Sequence, residues 1–199
     1  MILSILICTI DSRKEQFDKL FDFVNKQRLV NDTVARFVEI LFECDNKEMS
    51  IGAKRQKLLE RATGEFVVFI DDDDFVSERY VSSILKATRS KPDCIGFLIE
   101  CDMQGKIETA ITSNRYDKWT EGQDGFTHNR TIYHKSPIRR TIALQIGFKN
   151  IRYSEDSDFS KRLKDSGLLV HEEFINDVMY YYRYREEDYH TKYGFDKNW

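Results

Sequence analysis

Apolar and polar positions in this chain switch repeatedly between strand-like runs and helical spacing. Ile2 to Ile10 is apolar at nearly every position, as in a strand covered on both faces, and it leads into a polar loop, Thr9 to Arg13. Ser12 and Glu15 have the spacing of a capping box. Phe17, Leu20, Phe21 and Val24 then recur at helical spacing and predict a core-facing helix. Val38 to Cys44 reads as the second strand, closed by Asp45 and Asn46. Ser50 stands at the N-cap of a helix over Ile51 to Ala62, striped by Leu58, Leu59 and Ala62 and stopped by Gly64. Phe66 to Ile70 is the third strand and ends in four carboxylates, Asp71 to Asp74. Ser77 caps a helix carrying Tyr80, Val81, Ile84 and Leu85. Cys94 to Glu100 is a fourth strand, and Gln104-Gly105 turns it back into Ile107 to Ile111 as a hairpin.

The first hundred residues therefore run β-α-β-α-β-α-β, the order of a mainly parallel α/β sheet with helices on both faces. The second half is less periodic. Thr112 to Asn129, which contains Trp119, has no regular pattern and is expected to be a mobile loop. Thr131 to His134 reads as a short strand. Pro137 fits the first turn of a helix over Ile138 to Gln145, stopped by Gly147. Ser154 caps a helix to Lys164 with Phe159 and Leu163 on its buried side, and Gly167 stops it. Leu168 to Phe174 and Val178 to Tyr184 read as a closing pair of strands. The charged and aromatic tail after Tyr184 has no assignment. One domain is expected over 1–199, with residues 1–103 as a ligand-binding half, 104–185 as a second half and 186–199 as the tail.

Composition narrows the class. The chain has 199 residues, 41% hydrophobic and 33% charged, with a net charge of −3, so no general attraction to nucleic acid or anionic membrane follows. Cys8, Cys44, Cys94 and Cys101 are scattered without metal-binding or disulfide spacing, which favours reduced thiols in the cytoplasm. MILSILICTI lacks a basic leader and a cleavage site, so it is read as a strand rather than a signal peptide. No run approaches the ~20 apolar residues of a membrane-spanning helix.

The chemistry centres on EFVVFIDDDDF, Glu65 to Phe75. Two unit charges ~4 Å apart repel by roughly 1 kcal/mol even in bulk water, so four adjacent carboxylates call for a cation. Side chains alternate in extended chain, which places Asp71 and Asp73 on one face and Asp72 and Asp74 on the other. The first pair offers hard oxygen ligands suited to Mn²⁺ or Mg²⁺; Asp72 and Asp74 are expected to face away, with a role in capping the next helix. Lys54, Arg55 and Lys57 crowd the start of a helix, against the macrodipole, which marks them as anion ligands. Glu155, Asp156 and Asp158 open a later helix, where acids also suit the dipole. A metal on a diphosphate, nearby cations and a separate carboxylate to accept a proton form an inventory for group transfer from a nucleotide-activated donor.

The order of these motifs resembles the family 2 glycosyltransferases of the GT-A fold, in their small bacterial and viral form. The family's Asp-x-Asp motif after an apolar strand is matched by Asp71-Asp72-Asp73. Its Glu-Asp motif before an amphipathic helix is matched by Glu155-Asp156. GAKRQKLLERATGEFVVFIDDDDF is similar to the donor-side segment and KSPIRRTIALQIGFKNIRYSEDSDFSKRL to the acceptor-side segment. The resemblance implies a single GT-A domain: a mainly parallel central sheet flanked by helices, with a small antiparallel part near the C-terminal half. It implies a metal-dependent, inverting, non-processive transfer of a sugar from a nucleotide-diphosphate sugar to an acceptor hydroxyl, in the cytoplasm of a bacterial cell or a virus-infected host. Asp73 would ligate the metal, with Asp71 supporting the metal or the ribose. Thr9, Arg13 and Asp45 would contact base and ribose, and Lys54 and Arg55 would complete the nucleotide pocket. Asp156 would be the general base and Glu155 its positioning partner. Some relatives add a late His to the metal, and His190 has that spacing; His171 is a weaker candidate, while His134 precedes the acceptor-side helix and is expected as a core or surface residue rather than a lining of the acceptor site.

The chain departs from the family at Ile10-Asp11, where an aromatic residue often stacks on the base. It departs again at Cys44-Asp45-Asn46-Lys47, where Asp-Asp-Gly-Ser is usual. These departures leave the nucleotide open, with a UDP-sugar favoured over a GDP-sugar. Two other readings stand beside this one: a nucleotidyltransferase on a similar sheet, against which the glycine-free loop TIDSRKEQF counts, and a non-catalytic nucleotide-sugar-binding module.

Overall fold

The computed structural model describes residues 1–122 and 124–184. Its centre is β1 (Leu3–Ile10), buried almost throughout, with parallel neighbours β2 (Val38–Asp45) and β3 (Phe66–Asp71) on its two edges. Between these strands run α1 (Lys14–Arg28), the short α2 (Asp32–Phe37) and α3 (Ile51–Arg61). After β3 come β4 (Phe75–Val76), α4 (Tyr80–Ala87) and β5 (Cys94–Met103). The second half supplies β6 (Lys106–Thr112), β7 (Thr120–Glu121), β8 (His128–Arg130), β9 (Ile138–Arg139), α5 (Arg140–Ile146), α6 (Glu155–Asp165) and β10 (Glu172–Tyr184). All these strands join one sheet in the order β2-β1-β3-β9-β5-β6-β8-β7, with β10 parallel to the other edge of β5 and antiparallel to β4.

The period of two in β1 divides the core. Leu3, Ile5 and Ile7 face one side and pack with Leu20 and Val24 of α1 and Val81 and Ile84 of α4. Leu6 and Cys8 face the other and pack with Leu58 and Leu59 of α3, Ile142 and Ala143 of α5, and Phe159 and Leu163 of α6. Each fully buried aliphatic side chain contributes roughly 1.5–3 kcal/mol of transfer free energy, so both helical layers are firmly held. Among the described residues no helix is long and apolar enough to cross a membrane.

Several local expectations are corrected. Ser12 does not form a capping box: Asp11–Arg13 tighten into a 3₁₀ turn, and α1 starts from Arg13 without a side-chain cap, because Arg13 is drawn to the acidic loop. Ser77 does not cap α4. Its amide and hydroxyl turn to Met179, and Gln27 of α1 takes over, accepting from Val81 N at 3.1 Å and donating to Ser77 O at 2.9 Å. Ser154 adopts a left-handed conformation (φ 59°) and makes no capping bond. Asn31 caps α2, which the sequence reading missed, accepting from Val34 N at 2.9 Å.

Ile138-Arg139 is a strand rather than a helix start. It fills the gap between β3 and β5, whose buried edges need partners, and α5 begins only at Arg140. Thr131 to His134 is irregular, joined to β3 where Phe69 N donates to His134 O at 2.9 Å. The supposed loop 112–129 contains β7 and the start of β8. The expected closing pair is one strand, β10, whose register shifts at Asn176-Asp177 form a bulge, not a turn.

Gly52 sets the spacing between α3 and the segment before α6. A Cβ there would lie 2.0 Å from Lys149 O and 3.1 Å from Ile151 O, both backbone atoms. Gly52→Ala is expected to destabilise the fold by about 1–3 kcal/mol through overpacking, seen as a lower urea midpoint with an unchanged m-value.

Candidate active site

Parallel register brings the carboxyl ends of β1, β2 and β3 to one edge, where open α/β sheets bind ligands. Cys8 lies opposite Asp71, and Ile10 opposite Asp45. Thr9 is buried there, and its carbonyl accepts from Lys54 Nζ at 2.7 Å. Lys54 also forms an ion pair with Asp45. Asp45 in turn accepts from the amides of Met49 (2.7 Å) and Lys47 (3.2 Å). Burial alone would raise the Asp45 pKa, but Lys54 and these amides hold it below the usual range.

Asp71 to Asp74 form a turn in which Asp74 N donates to Asp71 O at 3.1 Å. The side chains of Asp71 and Asp73 keep 18% and 30% of their exposure, against 5% and 1% for Asp72 and Asp74. Arg13 reaches over from the first loop to Asp72 at 2.7 Å and Asp73 at 3.0 Å. Asp74 does not cap a helix: it is sealed beneath the turn, accepting from Lys135 Nζ at 2.6 Å and Tyr180 Oη at 2.8 Å. Burial, with Asp71 and Asp73 adding repulsion against the pull of Lys135, pushes the Asp74 carboxyl up to about 6. Asp71 receives two cations, Arg55 Nη2 at 2.9 Å and Lys135 Nζ at 3.0 Å. Burial would raise its pKa, but Lys135 and Arg55 together hold it well below the carboxylate range.

Arg55, from α3, is the link to the second acidic motif. Its other side donates from Nε to Glu155 Oε1 at 3.1 Å, and the guanidinium lies over the Phe69 ring at 5.2 Å. Burial raises the Glu155 pKa despite this partner. Asp156 pairs with Arg130 Nη2 at 2.9 Å. Burial opposes its ionisation, but His134, Arg130 and Arg55 bring its pKa down to about 2. Arg130 stacks on Tyr133 at 3.9 Å and on Trp119 at 5.3 Å. His134 is buried between Phe69 and Tyr133 with neither ring nitrogen hydrogen-bonded, and Nε2 stands 3.7 Å from Asp71 Oδ1. Burial and Arg55 lower its pKa to about 3, so the imidazole is neutral at physiological pH.

A buried basic residue thus separates two acidic motifs, one at a strand end and one at a helix start. Residues 40–148 match glycosyl transferase family 2. The chain belongs to this family. It is 23% identical over 174 residues to the glucosyl-dolichyl phosphate glucuronosyltransferase of Haloferax volcanii, covering 84% of this chain and 50% of that protein. It is 26% identical over 152 residues to EpsH of Bacillus subtilis, covering 69% and 42%. The crystal structure of S. aureus TarS 1–349 in complex with UDP superposes with a TM-score of 0.68 at 15% identity, over 96% of this chain and 63% of that one. The α/β architecture is therefore that of the GT-A glycosyltransferases. The chain spans about half the length, or less, of the curated relatives it matches.

The structure gathers Thr9, Arg13, Asp45, Lys54, Arg55, Asp71, Asp73, Glu155 and Asp156 around one sheet end. Lys54 and Arg55 are not open anion ligands, however; both are buried and committed to carboxylates. Among the described residues no three His, Cys, Asp or Glu side chains form a metal cluster. Mg²⁺-type ions are commonly held by one or two carboxylates and completed by substrate phosphates, and the outward pair Asp71 and Asp73 fits that kind of site. His171 is distant in function, its amide and carbonyl joining the Asp93 turn, and His190 lies outside the described residues. A cleft of about 650 Å³ lined by Phe23, Phe75, Tyr181, Tyr182 and Arg183 contains none of the proposed residues.

Lys135, Arg130 and Tyr180 were missed by the sequence reading. Lys135 is 5% exposed, with its ammonium 4.7 Å from the ring centroids of both Tyr180 and Tyr182. Lys135→Met leaves Asp74 buried without its cation and is expected to cost about 3–5 kcal/mol of stability. Adding Asp74→Asn removes the stranded charge and recovers part of that loss, measured as the coupling in a double-mutant cycle by urea denaturation.

Proposed function

We propose that this family 2 protein transfers a sugar from a nucleotide-diphosphate sugar, most naturally a UDP-sugar, to an acceptor hydroxyl, with inversion at the anomeric carbon and with a divalent metal. The observation that carries the reading is the Arg55 bridge: one guanidinium holds Asp71 of the donor motif and Glu155 of the second motif at 2.9 and 3.1 Å. Donor-side and acceptor-side acids are thereby held together through one guanidinium. The likeness to TarS solved with UDP supports a uridine donor.

In this reading Asp73, with Asp71 beside it, would hold Mn²⁺ or Mg²⁺, which would supply positive charge to offset that of the diphosphate. Arg13 tethers Asp73 and fixes the loop, and Thr9 and Asp45 shape the nucleotide end of the site. Asp156 takes the proton from the acceptor hydroxyl as its oxygen bonds to the anomeric carbon. The bond from that carbon to the diphosphate oxygen breaks, and its electron pair leaves with the nucleoside diphosphate. Attack opposite the leaving group inverts the centre. Glu155, anchored by Arg55, positions its neighbour Asp156.

Titration calorimetry with UDP and GDP, with and without Mn²⁺, tests the donor site. Metal-dependent UDP binding is expected, and no metal-dependent nucleotide binding would sink the proposal. Asp156→Asn is expected to keep UDP binding while transfer falls by at least ~10²-fold, at the low end of what a general base contributes.

The pH profile supplies a separate check on the base. Asp156, held at about 2, is ionised throughout the physiological range. Arg130→Gln removes a neighbouring cation, so the Asp156 pKa rises and the acid limb of kcat/KM moves towards neutral pH. An unmoved limb would remove Asp156 from that role.

A further inference from the structure

The reaction proposed above leaves its acceptor unnamed, and one exposed side chain beside Asp156 bears on it. Trp119 is 49% exposed. It precedes β7, which pairs antiparallel with β8. His128 and Arg130 of β8 are two residues apart and so rise from the same face of the strand. The His128 ring meets Trp119 at 5.0 Å and the Arg130 guanidinium meets it at 5.3 Å. His128 is itself fixed by Glu108 at 2.8 Å. The indole is thus propped along one side by two side chains and open to solvent elsewhere. The same Arg130 reaches Asp156 at 2.9 Å, so a single guanidinium separates the ring from the carboxylate.

We propose that Trp119 is the platform of an acceptor subsite for a hexopyranose ring, which rests on that reading of Asp156 as the base. A pyranose has an apolar C–H face that covers an indole and a rim of hydroxyls that hydrogen-bond to charged groups, and tryptophan offers that combination of flat apolar surface with a polar surround. Arg130, in contact with both the Trp119 ring and Asp156, and Asp156 itself supply the polar rim. A purely structural Trp119 would hold the β7–β8 ribbon and would not need an open face.

Trp119 and Trp199 are the only two tryptophans, so Trp199→Phe leaves Trp119 as the sole indole fluorophore. Titration of this variant with methyl β-D-glucoside, galactoside and N-acetylglucosaminide, in the presence of UDP and Mn²⁺ and again without them, is expected to give a saturable emission change with at least one glycoside and none with glycerol. No saturable change with any glycoside overturns the subsite. A glycoside response with no UDP binding leaves the subsite standing and overturns the donor reading instead. In a UDP-release assay, Trp119→Ala is expected to lower kcat/KM for the responsive glycoside at least tenfold while UDP binding measured by calorimetry and the melting temperature stay near wild type. Undiminished glycoside transfer in Trp119→Ala also overturns it.

Discussion

The site depends on a guanidinium taken out of water. Arg55 is 3% exposed and holds Asp71 and Glu155 from opposite sides. Burying an ion of this kind has an effective cost of several kcal/mol, recovered only with well-placed counter-charges. Here the counter-charges come from β3 and α6, so α3, β3 and α6 cannot shift independently without stranding a charge. The close backbone approach at Gly52 holds α3 near the segment that leads into α6, and Phe69 lines the buried face of the guanidinium. Packing and electrostatics therefore fix the same three elements, and the distance between the two acidic motifs follows from that restraint.

The four consecutive carboxylates are resolved by the same logic applied twice. The turn sends Asp72 and Asp74 inwards, where Arg13 and Lys135 meet them, and leaves Asp71 and Asp73 partly exposed. The environments then separate their acidities. Asp74 is pushed up by burial, whereas Asp71 is pulled down by two cations. A run that looks uniform in sequence is divided into an inner pair that anchors the turn and an outer pair that stays partly exposed. Lys135 touches both layers, at 3.0 Å from Asp71 and 2.6 Å from Asp74, so the geometry of the outer pair is set from beneath.

What the sequence made legible was local. Continuous apolar runs marked β1, β3 and β5, Ser50 marked the start of α3, and four adjacent acids marked the site because their repulsion is visible without any neighbour. What it hid was long-range. Nothing near Ser77 shows that Gln27, fifty residues earlier, will cap α4. Nothing in Ile138-Arg139 shows that β3 and β5 will need a strand between them; Pro137 made a helix start the better local choice. Lys135 and Arg130 look like ordinary surface cations, since their carboxylate partners lie 61 and 26 positions away. The cations Lys54 and Arg55 were noticed for opposing the helix dipole, but their partners are carboxylates of this chain, and the conflict with the dipole is settled by Asp45, Asp71 and Glu155.

Arg130 gives the second acidic motif a property that its neighbours do not have. An Asp at about 2 is fully ionised but a weak proton acceptor, and general-base efficiency rises as the pKa approaches the working pH. The cation that weakens Asp156 is also the one stacked between Tyr133 and Trp119. A sugar ring placed on Trp119 would draw hydrogen bonds from Arg130 into its own hydroxyls and away from the carboxylate. Because the stack and the ion pair share one guanidinium, Trp119 and Asp156 cannot be repositioned independently of each other.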